Sequence, residues 1–169
     1  MNNKNIRKKL FLDMDGTIAK FNSKRNAVQR FDKEKGFFLS LKPFKYIETI
    51  NQMITENQID VFIISASPNP QADTEKRTWL KTYLPNLSQS NICFCRIGTN
   101  KAKAIKEQLN INIDNNCYLL DDYTKNLIEW NNNNGIGIKR ITSLADNSRK
   151  TWKGLQIKSL KQLSSFLLS

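Results

Sequence analysis

Leu10-Phe11-Leu12-Asp13-Met14-Asp15-Gly16-Thr17 sets two acids and a glycine at the end of a short apolar run. A run of this length, Lys9–Met14, closed by a turn-forming residue, reads as a buried β-strand. Carboxylates at the end of such a strand are costly unless something offsets their charge. Side-chain alternation sends Asp13 and Asp15 to the same side if the strand stays extended. In open parallel sheets ligands bind just beyond the strands' carboxyl ends, so the pair stands where a site belongs. A divalent cation would offset the repulsion between them.

Working outward, Asp60–Ala66, Asn91–Ile97 and Cys117–Leu120 are three further short apolar runs, and stretches of helical period separate them. Ile47, Ile50, Met53 and Ile54 recur at helical spacing after Pro43, which a first helical turn tolerates. Asp73 can cap a helix carrying Trp79, Leu80 and Tyr83 that stops before Pro85, and Thr99 or Asn100 can cap Lys101–Leu109. Tyr123–Asn131 reads as a fourth helix, Asn131–Gly135 as a polar turn and Gly135–Ile141 as an edge strand. This alternation predicts an α/β fold, a Rossmann-like three-layer sandwich around a mostly parallel sheet. One domain is expected over residues 1–169, with a small cap inserted at about 19–41. That insertion, Ala19–Leu41, has no clean period and mixes charge with Phe21, Phe31, Phe37 and Phe38; an ordinary long loop is the alternative.

Asp121-Asp122 follows Cys117-Tyr118-Leu119-Leu120, so a second strand also ends in paired acids. Four carboxylates at one sheet edge make a hard, oxygen-rich site of the kind Mg²⁺ occupies. Ser65 closes another strand with a hydroxyl donor, and Lys101 opens a helix where its ammonium can meet an anion. Lys103 and Lys106 compete with Lys101, but Lys101 directly follows Gly98-Thr99-Asn100 and so stands at the helix start. Asp60 precedes its strand, at the wrong end of the sheet.

Asp13-Met14-Asp15-Gly16-Thr17, then Ser65, then Lys101, then Asp121-Asp122 resemble the four ordered motifs of the haloacid dehalogenase superfamily. The resemblance implies a Mg²⁺-dependent phosphatase that works through an aspartyl phosphate. Asp13 would be the nucleophile and Asp15 the acid and base. Thr17, Ser65, Ala66 and Lys101 would bind the phosphoryl group, and Asp13, Asp15, Asp121 and Asp122 the metal, with either Asp121 or Asp122 as the direct ligand. Leu119 to Leu127 with Trp130, Gly36 to Pro43, and Thr151-Trp152-Lys153-Gly154 are similar to the 5′(3′)-deoxyribonucleotidase-like branch of bacterial and phage proteins. That likeness implies a small phosphorylated substrate, a deoxynucleoside monophosphate. The characterised members carry a larger helical cap than 19–41 could supply.

Net charge is +12, from 27 Lys and Arg against 15 Asp and Glu, which favours anionic partners. It leaves open a phosphatase acting on nucleic-acid ends or a basic nucleic-acid-binding protein, with Lys4, Arg7, Lys8, Lys9, Lys20, Lys24, Arg25 and Arg30 as the basic residues. A catalytically idle phosphate-binding domain is a further alternative. The chain has no histidine, which excludes Ser-His-Asp and Cys-His catalysis. Cys93, Cys95 and Cys117 form an odd set that reads as buried core rather than as a disulfide or zinc framework. No stretch approaches the ~20 apolar residues of a membrane span. No signal peptide or anchor is read, so the expected compartment is the cytoplasm, with no membrane partner; the oligomeric state is left open.

Overall fold

The computed structural model describes residues 7–21, 30, 33–144 and 151–168. Its centre is a six-stranded sheet of β1 (Lys9–Leu12), β2 (Asp60–Ser67), β3 (Ile92–Arg96), β4 (Cys117–Asp121), β5 (Ile136–Arg140) and β6 (Leu155–Ile157). The strand order is β3-β2-β1-β4-β5-β6, and every neighbouring pair is parallel. Leu10, Phe11 and Leu12 of β1 are wholly buried, as the central strand of a sheet covered on both faces must be.

Alternation along β1 divides the core. Leu10 and Leu12 face Ile50 and Met53 of α1 (Ile47–Thr55), Trp79 and Leu80 of α2 (Pro70–Tyr83), and Leu163 and Leu167 of α5 (Leu163–Leu167). Phe11 points the other way, to Ile105 of α3 (Lys101–Leu109) and Leu127 and Trp130 of α4 (Thr124–Asn132). The result is the expected three-layer α/β sandwich. The order places β2 and β3 on one side of β1 and β4 to β6 on the other. The crevice where the chain reverses direction, beyond the carboxyl ends of β1 and β4, is where such sheets bind ligands.

Several local expectations change. The crossover helix after β1 begins at Ile47, not near Pro43, which instead forms an antiparallel bridge with Ala19. Asn69 rather than Asp73 caps α2: its side chain accepts from Ala72 N at 2.9 Å, and Pro70 takes the first helical position. Asp73 lies in the first turn and pairs with Arg96 at 2.5 Å. Asn100, not Thr99, caps α3. The 135–141 strand is internal, because the three-residue β6 pairs along its far side; so short a strand leaves almost no periodic signal.

Between β1 and α1, the described part of 19–41 packs down on α2. Gly36 N and Phe38 N donate to the Glu75 carboxylate at 2.7 and 3.1 Å. Phe37 and Phe38 bury themselves with Ala72, and Phe21 and Leu41 pack against them. Phe37 and Phe38 are therefore anchors. Phe31, Lys4, Lys24 and Arg25 lie outside the described residues.

Candidate active site

Asp13 emerges directly from β1, and its backbone N–H donates to Leu120 O of the neighbouring β4 at 3.0 Å, so the pairing of β1 with β4 sets its position. The chain then turns through Gly16, with φ of +82°, while the amides of Ile18 and Ala19 return to Met14 O. A side chain at Gly16 would collide with the Asp122 carboxylate, so the glycine meets both a positive φ and a close approach. The turn brings Thr17 back over the strand end, where its hydroxyl donates to Asp13 Oδ2 at 3.2 Å.

Lys101, the first residue of α3 and 4% exposed, reaches into this space. Its ammonium donates to Asp13 Oδ1 and to Asp121 Oδ2, each at 2.6 Å. Asp121 Oδ2 also accepts from Asn126 Nδ2 at 2.8 Å, and Asp121 Oδ1 accepts from Tyr123 N at 2.7 Å. Asp122 is partly buried, and its carboxylate accepts no comparable bond from a described residue. Burial pushes the Asp13 carboxyl up to about 7; Lys101 opposes this, while Asp121 and Asp15 add to it. Asp122 is likewise pushed well above the usual range, by burial first and then by Asp121 and Asp13. For Lys101 burial favours the neutral amine, but Asp121 and Asp13 outweigh it and hold the proton on.

A second group adjoins the first. Lys76 of α2 is wholly buried and ion-paired with Asp15 Oδ2; it also donates to Ser65 Oγ at 3.0 Å and to Ala66 O at 2.6 Å. Its ammonium stands 4.5 Å from the centre of the Phe38 ring. Asp15 Oδ1 is buried without a hydrogen-bond partner among the described residues. Sequence reasoning missed Lys76, although a signal exists: Lys76, Trp79, Leu80 and Tyr83 share one helical stripe, so a lysine stands on the buried face. Lys139 of β5 is also wholly buried, donating to Asp122 O and to Thr124 Oγ1 at 2.8 Å, so the strand next to β4 holds the backbone of the second acid pair.

The sequence-predicted residues thus gather as Asp13, Thr17, Lys101, Asp121 and Asp122 on one side and Asp15, Ser65 and Ala66 on the other, the latter joined by Lys76. The rivals of Lys101 do not enter: Lys103 is exposed beside Glu107, and Lys106 donates to Asn110 on the helix surface. Asp60 pairs with Arg7 at the amino end of β2. The three cysteines are free and buried, and burial pushes the Cys93 thiol up to about 12.

Asp13, Asp121 and Asp122 each bring a carboxylate oxygen within 4.8 Å of the others. Lys101 is shared by Asp13 and Asp121, which leaves the group rich in negative charge and the Asp122 oxygens without donors among the described residues. An all-oxygen, under-compensated set of this kind suits a hard divalent cation. Asp15 does not join it through its side chain, which Lys76 holds.

The fold recurs in solved structures of hydrolases. A haloacid dehalogenase superfamily hydrolase from Ehrlichia chaffeensis superposes with a TM-score of 0.65 at 12% identity, covering 96% of this chain and 97% of that one. A haloacid dehalogenase-like hydrolase from Streptococcus pneumoniae gives 0.67 at 12% identity, with coverage of 95% and 98%. The D,D-heptose 1,7-bisphosphate phosphatase of B. bronchiseptica, solved with magnesium and phosphate, gives 0.66 at 12% identity, with coverage of 95% and 98%. No curated protein matches the chain in sequence. The family described as 5′ nucleotidase, deoxy (pyrimidine), cytosolic type C protein does match, over residues 13–147, from the first acid of the site past the second acid pair. The chain therefore belongs to that family, as a phosphatase of nucleotidase type on the haloacid dehalogenase fold.

Proposed function

We propose that the chain hydrolyses phosphomonoesters, deoxynucleoside 5′-monophosphates in particular, with Asp13 as the nucleophile and Mg²⁺ as the cofactor. The observation that carries this reading is Asp13 itself: a buried carboxylate whose Oδ1 is held by Lys101 and whose Oδ2 is held by Thr17. One oxygen of Asp13 attacks phosphorus, the bond to the leaving oxygen breaks, and Asp15 gives that oxygen its proton. Asp15 then takes a proton from water, which attacks the aspartyl phosphate and releases inorganic phosphate and free Asp13. Lys76 holds Asp15 in place and stands beside Ser65, so the acid-base residue and the hydroxyl that binds phosphate share one cation. Lys101, Ser65, Thr17 and the Ala66 backbone hold the phosphoryl oxygens.

Asp13, the Asp15 backbone carbonyl and Asp121 or Asp122 would hold Mg²⁺, which supplies charge neutralisation for the approaching phosphate. The heptose bisphosphate phosphatase solved with magnesium and phosphate supports the cofactor, and family membership supports the nucleotide. The 19–41 segment, as a small cap, would contribute Phe21 to the base: it is only partly buried and lies edge-on to Phe37 at 6.1 Å, whereas Phe37 and Phe38 are packed away.

A phosphate-release panel with Mg²⁺ tests the reading, run over deoxynucleoside monophosphates, ribose 5-phosphate and 5′-phosphorylated oligonucleotides in wild type and Asp13→Asn. Release from the mononucleotides should lead the panel, cease on chelation and be lost in Asp13→Asn while the fold persists. Wild-type turnover in Asp13→Asn would assign the nucleophile elsewhere.

A further inference from the structure

The turn that follows Asp15 has a second side. Beyond it lies a cavity of about 380 Å³, walled by Lys20, by Phe44, Lys45 and Tyr46 just ahead of α1, by Arg140 to Ser143 at the end of β5, and by Lys158 and Ser159 after β6. None of the residues assigned to catalysis or metal binding lines it. Four of its described lining residues are cationic and none is acidic. Lys20, Lys45 and Lys158 are exposed, but Arg140 is only 3% exposed. Arg140 donates from Nε to Thr17 O at 3.3 Å and from Nη1 to Ile141 O at 3.2 Å, and its guanidinium lies over the Phe44 ring at 4.9 Å. No carboxylate among the described residues reaches it, and its Nη2 makes no hydrogen bond to a described residue. Burial depresses its pKa to about 10, with Asp122 opposing from a distance.

A buried guanidinium with a vacant donor, at the wall of a cavity ringed by three ammonium groups, is a poorly compensated cation that an entering anion would satisfy. We propose that this cavity is a second anion site, separate from the catalytic centre, that takes a small phosphorylated molecule of nucleotide size. The phosphate would lie against Arg140, Lys45 and Lys158. The volume exceeds what inorganic phosphate needs and matches the lower range of small-molecule sites, and the exposed Tyr46 ring offers a flat apolar wall. Occupancy would be felt at the catalytic centre, because Arg140 holds the carbonyl of the same Thr17 whose hydroxyl holds Asp13. The inference stands whether or not the proposed catalysis is right.

The test is titration calorimetry with thymidine 5′-monophosphate in EDTA at low salt. In EDTA the catalytic centre lacks its cation, and any phosphate held there would not depend on Lys45 or Lys158, which line only the cavity, so the double variant tells the two sites apart. Saturable one-to-one binding is expected, weakened about tenfold or more in the double variant Lys45→Ala/Lys158→Ala. Both lysines are exposed, so folding is not at issue. With Mg²⁺, the same variant should keep the wild-type kcat/KM on substrate concentrations far below saturation of the cavity. Three results would overturn the proposal: no saturable binding in EDTA, equal affinity in the double variant, or a loss of kcat/KM in proportion to the loss of binding, which would make the cavity part of the substrate site. An unphosphorylated single-stranded oligonucleotide runs as a further arm. Tighter binding of it than of the nucleotide, through the same lysines, would assign the cavity to nucleic-acid backbone instead.

Discussion

Asp13 concentrates the electrostatic conflict of the site. Its carboxyl is raised to about 7, so the native state binds a proton there more tightly than the unfolded chain does, where the group titrates near 3.8. A group raised in this way contributes stability that is full below about pH 4 and is lost as pH rises toward 7. In EDTA, then, Asp13→Asn should match wild type near pH 4 and exceed it at pH 8 by a few kcal/mol. Urea denaturation at the two pH values measures this. A variant less stable than wild type at pH 8 would mean that the ion pair with Lys101 outweighs the cost of burying the charge.

At the level of the element, α2 joins both halves of the site. Glu75 and Lys76 are consecutive: Glu75 accepts from Gly36 N and Phe38 N of the 19–41 segment, while Lys76 holds Asp15 and Ser65. Burial would raise the Glu75 carboxyl, but the donors from Gly36, Gln71 and Phe38 outweigh it and hold the group charged. The same helix supplies Ala72 to the cluster that buries Phe37 and Phe38. Because Phe38 is 2% exposed, its role is packing, and Phe38→Ala should cost about 3 kcal/mol of stability. Phe21 is the reverse case, partly exposed at the rim. Phe21→Ala should lower kcat/KM for a deoxynucleoside monophosphate relative to ribose 5-phosphate by about tenfold, with little change in melting temperature. Thermal melts and paired kinetics on the two variants separate the roles; a loss of base preference in Phe38→Ala alone would exchange them.

Across the whole molecule, the sheet delivers acids from two adjacent strands to one edge, while a net charge of +12 surrounds them. The acidic cluster is therefore local, and a bound cation is its natural complement. A ligand that binds only the folded state stabilises by about 2.7 kcal/mol at a hundredfold excess over Kd. Mg²⁺ held as proposed would compete with protons for Asp13 and Asp122, both raised in pKa. The rise in melting temperature on adding Mg²⁺ should thus be larger at pH 8 than at pH 5. Scanning calorimetry with and without the ion checks this, and a gain that shrinks as pH rises would contradict the proposed metal site. Among the described residues no helix is long and apolar enough to cross a membrane.

What could be read along the chain is what depends on near neighbours. An apolar run closed by Asp13-Met14-Asp15-Gly16 announces a buried strand with a site at its end, and a second run closed by Asp121-Asp122 repeats the signal. Period and capping residues then supply the helices between them. Strand order, by contrast, is set by pairings between distant segments, and β6 was invisible because three residues carry no period. The buried cations were hidden for a related reason. Whether Lys76, Lys139 or Arg140 is solvated or buried depends on which acceptors face it from other elements, and a lysine or arginine in a sequence is by default a surface residue. Only the fold brings Asp15 to Lys76, Asp122 O to Lys139 and Thr17 O to Arg140. Only the fold also spends the Asp121 oxygens on Lys101, Asn126 and Tyr123 while those of Asp122 accept from none of the described residues, a difference between adjacent identical residues that local sequence cannot express.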